Sequence, residues 1–150
     1  MADKIHMSWG EYTDALDEIA AHFIDTRFDA IVGLTRGGLV PGVRLSHLLN
    51  TPMLPFDPHS LRPDGIERCH IRLPISPVVS KRLLIVDDIA DTGITFTKCV
   101  HFFKERGFKI TTASVYINEN KTKFIPDCTT HGNGGQWVVF PYEEVEDEEE

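Results

Sequence analysis

The chain has 150 residues, of which 41% are hydrophobic and 25% charged, the composition of a globular domain that is large enough to bury one full core. Its net charge of −8 arises mainly at the C-terminus, because the last eight residues, "EEVEDEEE", hold seven acids and the rest of the chain carries 16 acidic against 15 basic side chains. No apolar run approaches a membrane span, no apolar stretch of a secretory signal opens the chain, and no excess of positive charge favours nonspecific nucleic-acid binding.

The first third of the chain predicts two helices and two strands. Residues 9–26 show helical spacing of apolar positions beside acids, which indicates an amphipathic helix. The predicted buried face of this helix consists of Leu16, Ile19, Ala20 and Phe23. A short buried strand at 29–34 leads through the turn "TRGG" into a second helix at 39–50, with Asn50 as a plausible stop. The segment "TPMLPF", residues 51–56, predicts another strand.

Residues 57–81 change character and predict a long insertion. They contain four prolines and little helical period, although the part that reads "CHIRLPI" alternates as a strand would. Long connections of this kind are often mobile and functional. The insertion is therefore a candidate functional segment.

The second half alternates strand and helix. The segments that carry these predictions are "RLLIVD" as a strand, "TFTKCVHFFKERG" as a helix with Gly107 as its stop, "KITTASVYI" as a strand and "GGQWVVFPYE" as a last strand-like segment. Strands that alternate with helices imply a mainly parallel sheet covered by helices. We therefore predict an α/β fold in one domain, residues 1–142, followed by a solvated, disordered acidic tail at 143–150.

The three cysteines argue against a disulfide framework or a cysteine zinc site. Cys69, Cys99 and Cys128 lie far apart, and none forms a CxxC pair. Reduced thiols in a cytoplasmic protein are the better interpretation.

The stretch "VDDIADTGIT", residues 86–95, ends a buried strand on two adjacent acids that repel each other and gain nothing from the core. Ligands of an open parallel sheet bind beyond the carboxyl ends of its strands, which is where this stretch lies. The backbone amides of a turn opened by Gly93, together with a helix N-terminus, would hold a phosphate. Asp87 and Asp88 suit sugar hydroxyls or Mg²⁺. The combination predicts a receptor for a sugar phosphate. The alternative, a strand that ends in solvated acids before an ordinary helix cap, would fit any one of these residues alone.

The same stretch resembles the phosphoribosyl-pyrophosphate (PRPP) motif of the type I phosphoribosyltransferases, two acids followed by a D-T-G-x-T turn. The resemblance implies that Asp87 and Asp88 hold the ribose hydroxyls with Mg²⁺ nearby. It also implies that Asp91 lies near N7 of a purine and exchanges a proton with the base. The expected ligands of the 5′-phosphate are Asp91, Thr92, Gly93, Ile94 and Thr95.

Two further segments resemble parts of the same family. "GLTRGGLVPG" contains Gly37 and Gly38, which permit close backbone approach, and it is similar to the family's pyrophosphate loop. The similarity implies that Arg36 and Gly37 contact the pyrophosphate; a glycine turn before a helix is the alternative. "QWVVFPYE" is similar to the end of the microbial xanthine–guanine and archaeal hypoxanthine enzymes. This similarity implies that Trp137 stacks on the base and that the backbone of Val138 reads its edge, whereas a core tryptophan is the alternative. Three arginines of the insertion, Arg62, Arg68 and Arg72, are candidates to cover the pyrophosphate, but we assign them no role.

One position departs from the family pattern. Members that use 6-oxopurines carry a lysine after the strand matching "TASVYI", and this chain has Asn118 there, with Lys121 and Lys123 close behind. Asn118 would donate to the base oxygen through its amide, or Lys121 would reach back to it. Asn118 would alternatively accept a hydrogen bond from a 6-amino group, which favours adenine.

The resemblance as a whole implies a type I phosphoribosyltransferase fold with a small hood built from the terminal segments. It implies a Mg²⁺-dependent enzyme that transfers the phosphoribosyl group of PRPP to hypoxanthine, guanine or xanthine for nucleotide salvage, as a cytoplasmic dimer or tetramer without nucleic-acid or membrane partners. A PRPP-binding regulatory module without transferase activity and a transferase for another base stay open as alternatives. The regulatory module predicts a missing base platform or pyrophosphate loop, yet Trp137 and Arg36 are both present.

Overall fold

The computed structural model describes residues 3–61 and 81–144, and its helices and strands alternate along most of the chain. The strands are β1 (Ile5–His6), β2 (Ala30–Leu34), β3 (Met53–Phe56), β4 (Arg82–Ala90), β5 (Lys109–Ile117), β6 (Cys128–Gly132) and β7 (Val138–Val139). The helices are α1 (Trp9–His22), α2 (Leu39–Leu48) and α3 (Ile94–Glu105), with short 3₁₀ turns at Pro58–Ser60 and Pro141–Glu143. Among the described residues, no helix is long and apolar enough to cross a bilayer.

Five parallel strands form the central sheet in the order β3-β2-β4-β5-β6. Strand β2 is buried along its whole length, and β4 is buried from Leu83 to Val86, as expected for a parallel sheet that is covered on both faces. β1 and β7, from the two ends of the chain, pair in parallel as a separate two-stranded sheet. This small sheet is the predicted hood, so the predicted fold is confirmed.

The core divides into two hydrophobic clusters because neighbouring strand residues point to opposite faces of the sheet. One cluster packs α1 and α2 against the sheet, and the other packs α3 against its other side. The first includes the sheet residues Ile31, Leu84 and Val86, and the second includes Val32, Leu83 and Ile85. The four residues predicted for the buried face of the first helix are all buried.

The predicted helices are confirmed, with shifted ends. α1 begins at Trp9 after a capping box between Ser8 and Glu11, but it ends at His22 instead of residue 26. α2 ends at Leu48, and Asn50 beyond it adopts a left-handed φ of 47°. Gly107 follows α3 at a φ of 87°, a conformation that favours glycine and stops the helix as predicted.

The strands differ more from their predictions. β4 runs to Ala90 instead of ending at Asp87, and the predicted last strand shortens to Val138–Val139 because a 3₁₀ turn begins at Pro141. Two strands, β1 and β6, were not predicted: β1 has only two residues, and the "CTTHG" of β6 is a polar edge strand without apolar alternation. The segment "CHIRLPI" and the tail from residue 145 lie outside the described residues.

Candidate active site

The acid pair lies where the central sheet opens on one side of β4. The pairing of β4 with β2 ends at Val86, whereas its pairing with β5 continues to Ala90. Asp87 and Asp88 therefore occupy the part of β4 that has lost its neighbour on the β2 side. Both side chains remain half-buried, close to the carboxyl end of the sheet, as the sequence predicts.

The two carboxylates form an electrostatically unfavourable pair. Burial, followed by the charge of Asp88, raises the pKa of Asp87 well above its usual range. The backbone gives only partial compensation: the Asp88 amide donates to Oδ1 of Asp87 at 2.9 Å, and the Ile89 amide donates to Oδ1 of Asp88 at 2.7 Å. Hydroxyl donors or a cation would stabilise this pair.

Tyr142, which no sequence motif indicates, connects the C-terminal segment to Asp88 and to the loop that carries Gly37. Its hydroxyl donates to Oδ2 of Asp88 at 3.0 Å and lies 3.5 Å from the carbonyl oxygen of Gly37. Burial and then the nearby Asp88 charge raise the pKa of Tyr142, so the hydroxyl stays protonated as a donor. No local pattern could have revealed a contact between residues 54 positions apart.

The loop between β2 and α2 packs tightly against the acid pair. A Cβ atom at Gly37 would overlap the carboxylate of Asp88, and one at Gly38 would overlap backbone atoms of Val86 and Leu34. Only glycine permits this approach, which agrees with the close approach that the sequence indicates. Arg36 is exposed at the tip of the loop, after a cis peptide bond, and forms no ion pair with another described residue.

The turn at 91–95 connects β4 to α3. Gly93 has a φ of 84°, and a Cβ atom there would lie 2.7 Å from atoms of Phe124. The first backbone hydrogen bond of the helix runs from the Thr97 amide to the Gly93 carbonyl, so the preceding amides have no partner one turn back. Their N–H groups and the positive end of α3 make this turn suitable for an anion.

Both carboxylate oxygens of Asp91 have polar partners. The Asn118 amide nitrogen donates to Oδ1 of Asp91 at 2.8 Å, and Nζ of Lys121 lies 3.5 Å from Oδ2. The amide oxygen of Asn118 accepts a hydrogen bond from the Asn120 backbone at 3.3 Å. Asn118 thus holds Asp91 in this structure, and Lys121 is the lysine that reaches back into the site.

An open cleft of about 660 Å³ brings the predicted base-binding residues together with the acids. Five residues selected from the sequence line it: Asp88, Asp91, Asn118, Trp137 and Val138. Trp137 is 68% exposed, so the alternative of a core tryptophan is wrong. Its indole offers a flat surface for stacking at one wall of the cleft.

The backbone of Val138 faces away from its neighbouring strand. Ile5 donates to the carbonyl of Trp137 at 2.8 Å, and Met7 donates to the carbonyl of Val139 at 3.0 Å. Because backbone groups alternate in direction along a strand, the N–H and C=O groups of Val138 point away from β1. They are available to a planar ligand in the cleft. The candidate arginines of the insertion, Arg62, Arg68 and Arg72, lie outside the described residues.

Comparisons with known proteins agree with this geometry. The model of the phosphoribosyl transferase domain family matches residues 8–147. The chain is 26% identical to a xanthine-guanine phosphoribosyltransferase of Idiomarina loihiensis over 93% of this chain and 87% of that protein. It is 34% identical to a hypoxanthine/guanine phosphoribosyltransferase of Aciduliprofundum boonei over 72% of this chain and 63% of that protein. The crystal structure of a purine phosphoribosyltransferase from Pyrococcus horikoshii superposes with a TM-score of 0.81 and 31% identity, and it covers 99% of both chains.

Proposed function

The chain belongs to the phosphoribosyl transferase domain family, and on that premise we propose that it transfers the phosphoribosyl group of PRPP to a 6-oxopurine. The acceptor is hypoxanthine, guanine or xanthine, and the products are a nucleoside 5′-monophosphate and pyrophosphate. The observation that carries this proposal is that the acid pair, the Gly93 turn and the cleft beside Trp137 lie together at the carboxyl end of the sheet. A regulatory module without chemistry would not need the base platform.

The proposed donor site consists of the loop between β2 and α2, the end of β4 and the turn between β4 and α3. The turn from Asp91 to Thr95 holds the 5′-phosphate through its amides, and the acid pair accepts hydrogen bonds from the ribose hydroxyls. Arg36 and Gly37 contact the pyrophosphate. Departure of pyrophosphate builds positive charge on the sugar and negative charge on the leaving group, and the guanidinium of Arg36 stabilises the latter.

The acid pair fits Mg²⁺. Within residues 3–61 and 81–144, no group of three or more His, Cys, Asp or Glu side chains is placed to hold a metal ion. A pair of carboxylates nevertheless suits Mg²⁺, which commonly binds one or two carboxylates together with substrate phosphate oxygens and water. The pKa of Asp87, raised by burial and then by the charge of Asp88, supports a cation beside the pair. When bound by Asp87 and Asp88, Mg²⁺ supplies charge stabilisation to the leaving pyrophosphate.

Asp91 acts as the general base. As the purine nitrogen attacks C1 of the ribose, the base loses a proton, and Asp91 accepts it. Asn118 holds one oxygen of this carboxylate at 2.8 Å, so the carboxylate is already oriented. Trp137 fixes the plane of the base.

The base panel tests the proposal directly. Purified protein is mixed with PRPP, Mg²⁺ and hypoxanthine, guanine, xanthine or adenine, and nucleotide is measured by chromatography. We expect a 6-oxopurine to give the highest kcat/KM. Nucleotide from adenine alone would overturn the base assignment, and no nucleotide from any base would overturn the activity. We also propose that the enzyme is cytoplasmic and forms a homo-oligomer. Light scattering checks the oligomeric state.

Replacing Trp137 with leucine is expected to raise KM for the purine by about 5- to 150-fold, because aromatic stacking on a base contributes about 1–3 kcal/mol. KM for PRPP should change little, since the indole lies on the base side of the cleft. Trp9→Leu is the matched control: Trp9 is 55% exposed, and it lines a separate groove between α1 and α2. Equal effects of the two substitutions on base KM would contradict the stacking role.

Tyr142→Phe removes the hydroxyl that donates to Asp88 and is expected to raise KM for PRPP by about tenfold, the cost of one hydrogen bond to a charged group. Steady-state kinetics at saturating base measure the effect. Tyr116→Phe is the control, because the Tyr116 hydroxyl forms no hydrogen bond with another described residue. An unchanged KM for PRPP in Tyr142→Phe would show that Asp88 does not need this donor.

A further inference from the structure

Three neighbouring strands of the sheet end at the same level, and a polar residue follows each of them. Ala90 of β4 pairs with Ile117 of β5, which in turn pairs with Gly132 of β6. The next residues form a row across the sheet: Asp91, Asn118 and Asn133. The Asn118 amide donates to the Ala90 carbonyl at 2.9 Å, and the Asn133 amide donates to the Ile117 carbonyl at 3.1 Å. Because adjacent strands lie about 4.8 Å apart, the row spans about 10 Å.

Asn133, at the far end of the row from Asp91, is buried and has a fixed orientation. It is 5% exposed, and its Oδ1 accepts a hydrogen bond from the Gly135 amide at 2.9 Å. Because only the oxygen of the side-chain amide can accept from an N–H group, this contact identifies which end is Nδ2. The backbone N–H and C=O groups of Asn133 also have partners, in Ile117 and Gln136.

The remaining group of Asn133 is Nδ2, which has no hydrogen-bond partner among residues 3–61 and 81–144. Asn133 lines the same cleft as Trp137 and Val138. An amide that is held through its oxygen, with two N–H donors that the described protein does not use at the wall of the cleft, is available to a ligand.

Two nearby side chains with N–H donors already interact with Asp91. Asn118 donates one N–H of its amide to Asp91, and the ammonium of Lys121, an exposed residue beside the row, lies near the other oxygen of the same carboxylate. At Asn133, in contrast, neither N–H of the amide has a partner among the described residues. Asn133 therefore supplies a donor that no described protein group uses. Its N–H groups match a carbonyl oxygen on the base and oppose an amino group, which would place donor against donor.

We infer that Nδ2 of Asn133 donates a hydrogen bond to the carbonyl oxygen of the base stacked on Trp137, and so selects oxo-substituted over amino-substituted purines. This inference rests on the proposed function and adds to it a specificity-determining residue. The loop that carries Asn133 does not depend on Nδ2, since Oε2 of Glu119 accepts the Gly134 amide at 3.1 Å and Oδ1 of Asn133 accepts the Gly135 amide.

Asn133→Asp provides a matched test. An aspartate keeps the oxygen that accepts from Gly135 and has nearly the same volume, but it replaces the donor that faces the cleft with an acceptor. We expect kcat/KM for hypoxanthine to fall by at least about tenfold, mainly through KM for the base, and the preference over adenine to fall with it, while KM for PRPP stays unchanged. Asn120→Asp adds the same charge at an exposed residue of the same cleft and should change these values by less than about twofold.

An unchanged hypoxanthine-to-adenine ratio in Asn133→Asp, or an equal loss in Asn120→Asp, would overturn the inference while leaving the proposed function intact. Failure of the wild-type protein to use any base would instead defeat the proposed function. A binding measurement needs no variant: Trp137 fluorescence should report binding of hypoxanthine at least about tenfold tighter than purine without a 6-substituent. Equal affinity for the two ligands would also overturn the inference.

Discussion

Asp91→Asn should reduce kcat by about 10²- to 10⁴-fold and leave KM for PRPP within about threefold of the wild-type value. The asparagine keeps an oxygen that can accept the Asn118 amide, so the local geometry is preserved. It cannot accept the proton that the purine loses. Single-turnover kinetics with PRPP and hypoxanthine separate the loss of chemistry from any change in binding.

The same substitution also removes a negative charge beside Lys121, which lies 3.5 Å from Asp91. Lys121→Met controls for this change, because it removes the ion pair and keeps the carboxylate. We expect Lys121→Met to retain most of kcat, since exposed ion pairs contribute little to stability or orientation. Equal losses of kcat and PRPP affinity in Asp91→Asn would argue against proton transfer by Asp91.

Asp87→Asn is expected to stabilise the protein at neutral pH and to lower kcat/KM by more than about 100-fold. Burial and the charge of Asp88 raise the pKa of Asp87, so the folded protein binds a proton at this carboxyl more tightly than the unfolded chain does. The resulting stabilisation is complete in acid and is lost as the pH rises through the folded-state pKa. Ionising both carboxyls therefore costs folding free energy as the pH rises, and the neutral asparagine removes that cost.

Thermal unfolding measured by circular dichroism from about pH 5 to pH 8 tests this expectation. Without divalent cations, Asp87→Asn should exceed the wild-type Tm by about 2–5 °C at the upper end of the range, and the difference should shrink towards acid. Mg²⁺ should raise the Tm of the wild-type protein more than that of the variant, because ligand binding stabilises the folded state. Asp14→Asn, an identical charge change on the exposed face of α1, should show neither effect. A Tm below the wild-type value at neutral pH would contradict the assigned cost of the pair.

Much of the fold and part of the site could be predicted from local sequence. The apolar run from Leu83 to Val86 identified a buried strand, and the acids after it were unexplained by packing, which led to the proposed donor site. Gly93 and Gly37 were predicted to allow a tight turn and a close approach, and the structure places both in such positions. These predictions succeed because each depends on a few consecutive residues.

The missing parts depend on tertiary contacts. Tyr142 meets Asp88 across 54 residues, and nothing in "FPYE" indicates that the hydroxyl has a partner. Asn133 belongs to the row only because β6 pairs with β5 in one particular register, and β6 itself is too polar to be predicted as a strand. The role of Asn118 in holding Asp91 also required the neighbouring strand ends to be placed.

The two-stranded sheet of Ile5–His6 and Val138–Val139 carries the stacking surface apart from the five-stranded core. In the proposed site, the stacking surface for the acceptor thus lies beside strands from the two ends of the described chain, whereas the acid pair for the donor lies on β4. Val138 and Phe140, next to this surface, belong to the same hydrophobic cluster as Leu84 and Val86, so substitutions beside Trp137 would also reach the core.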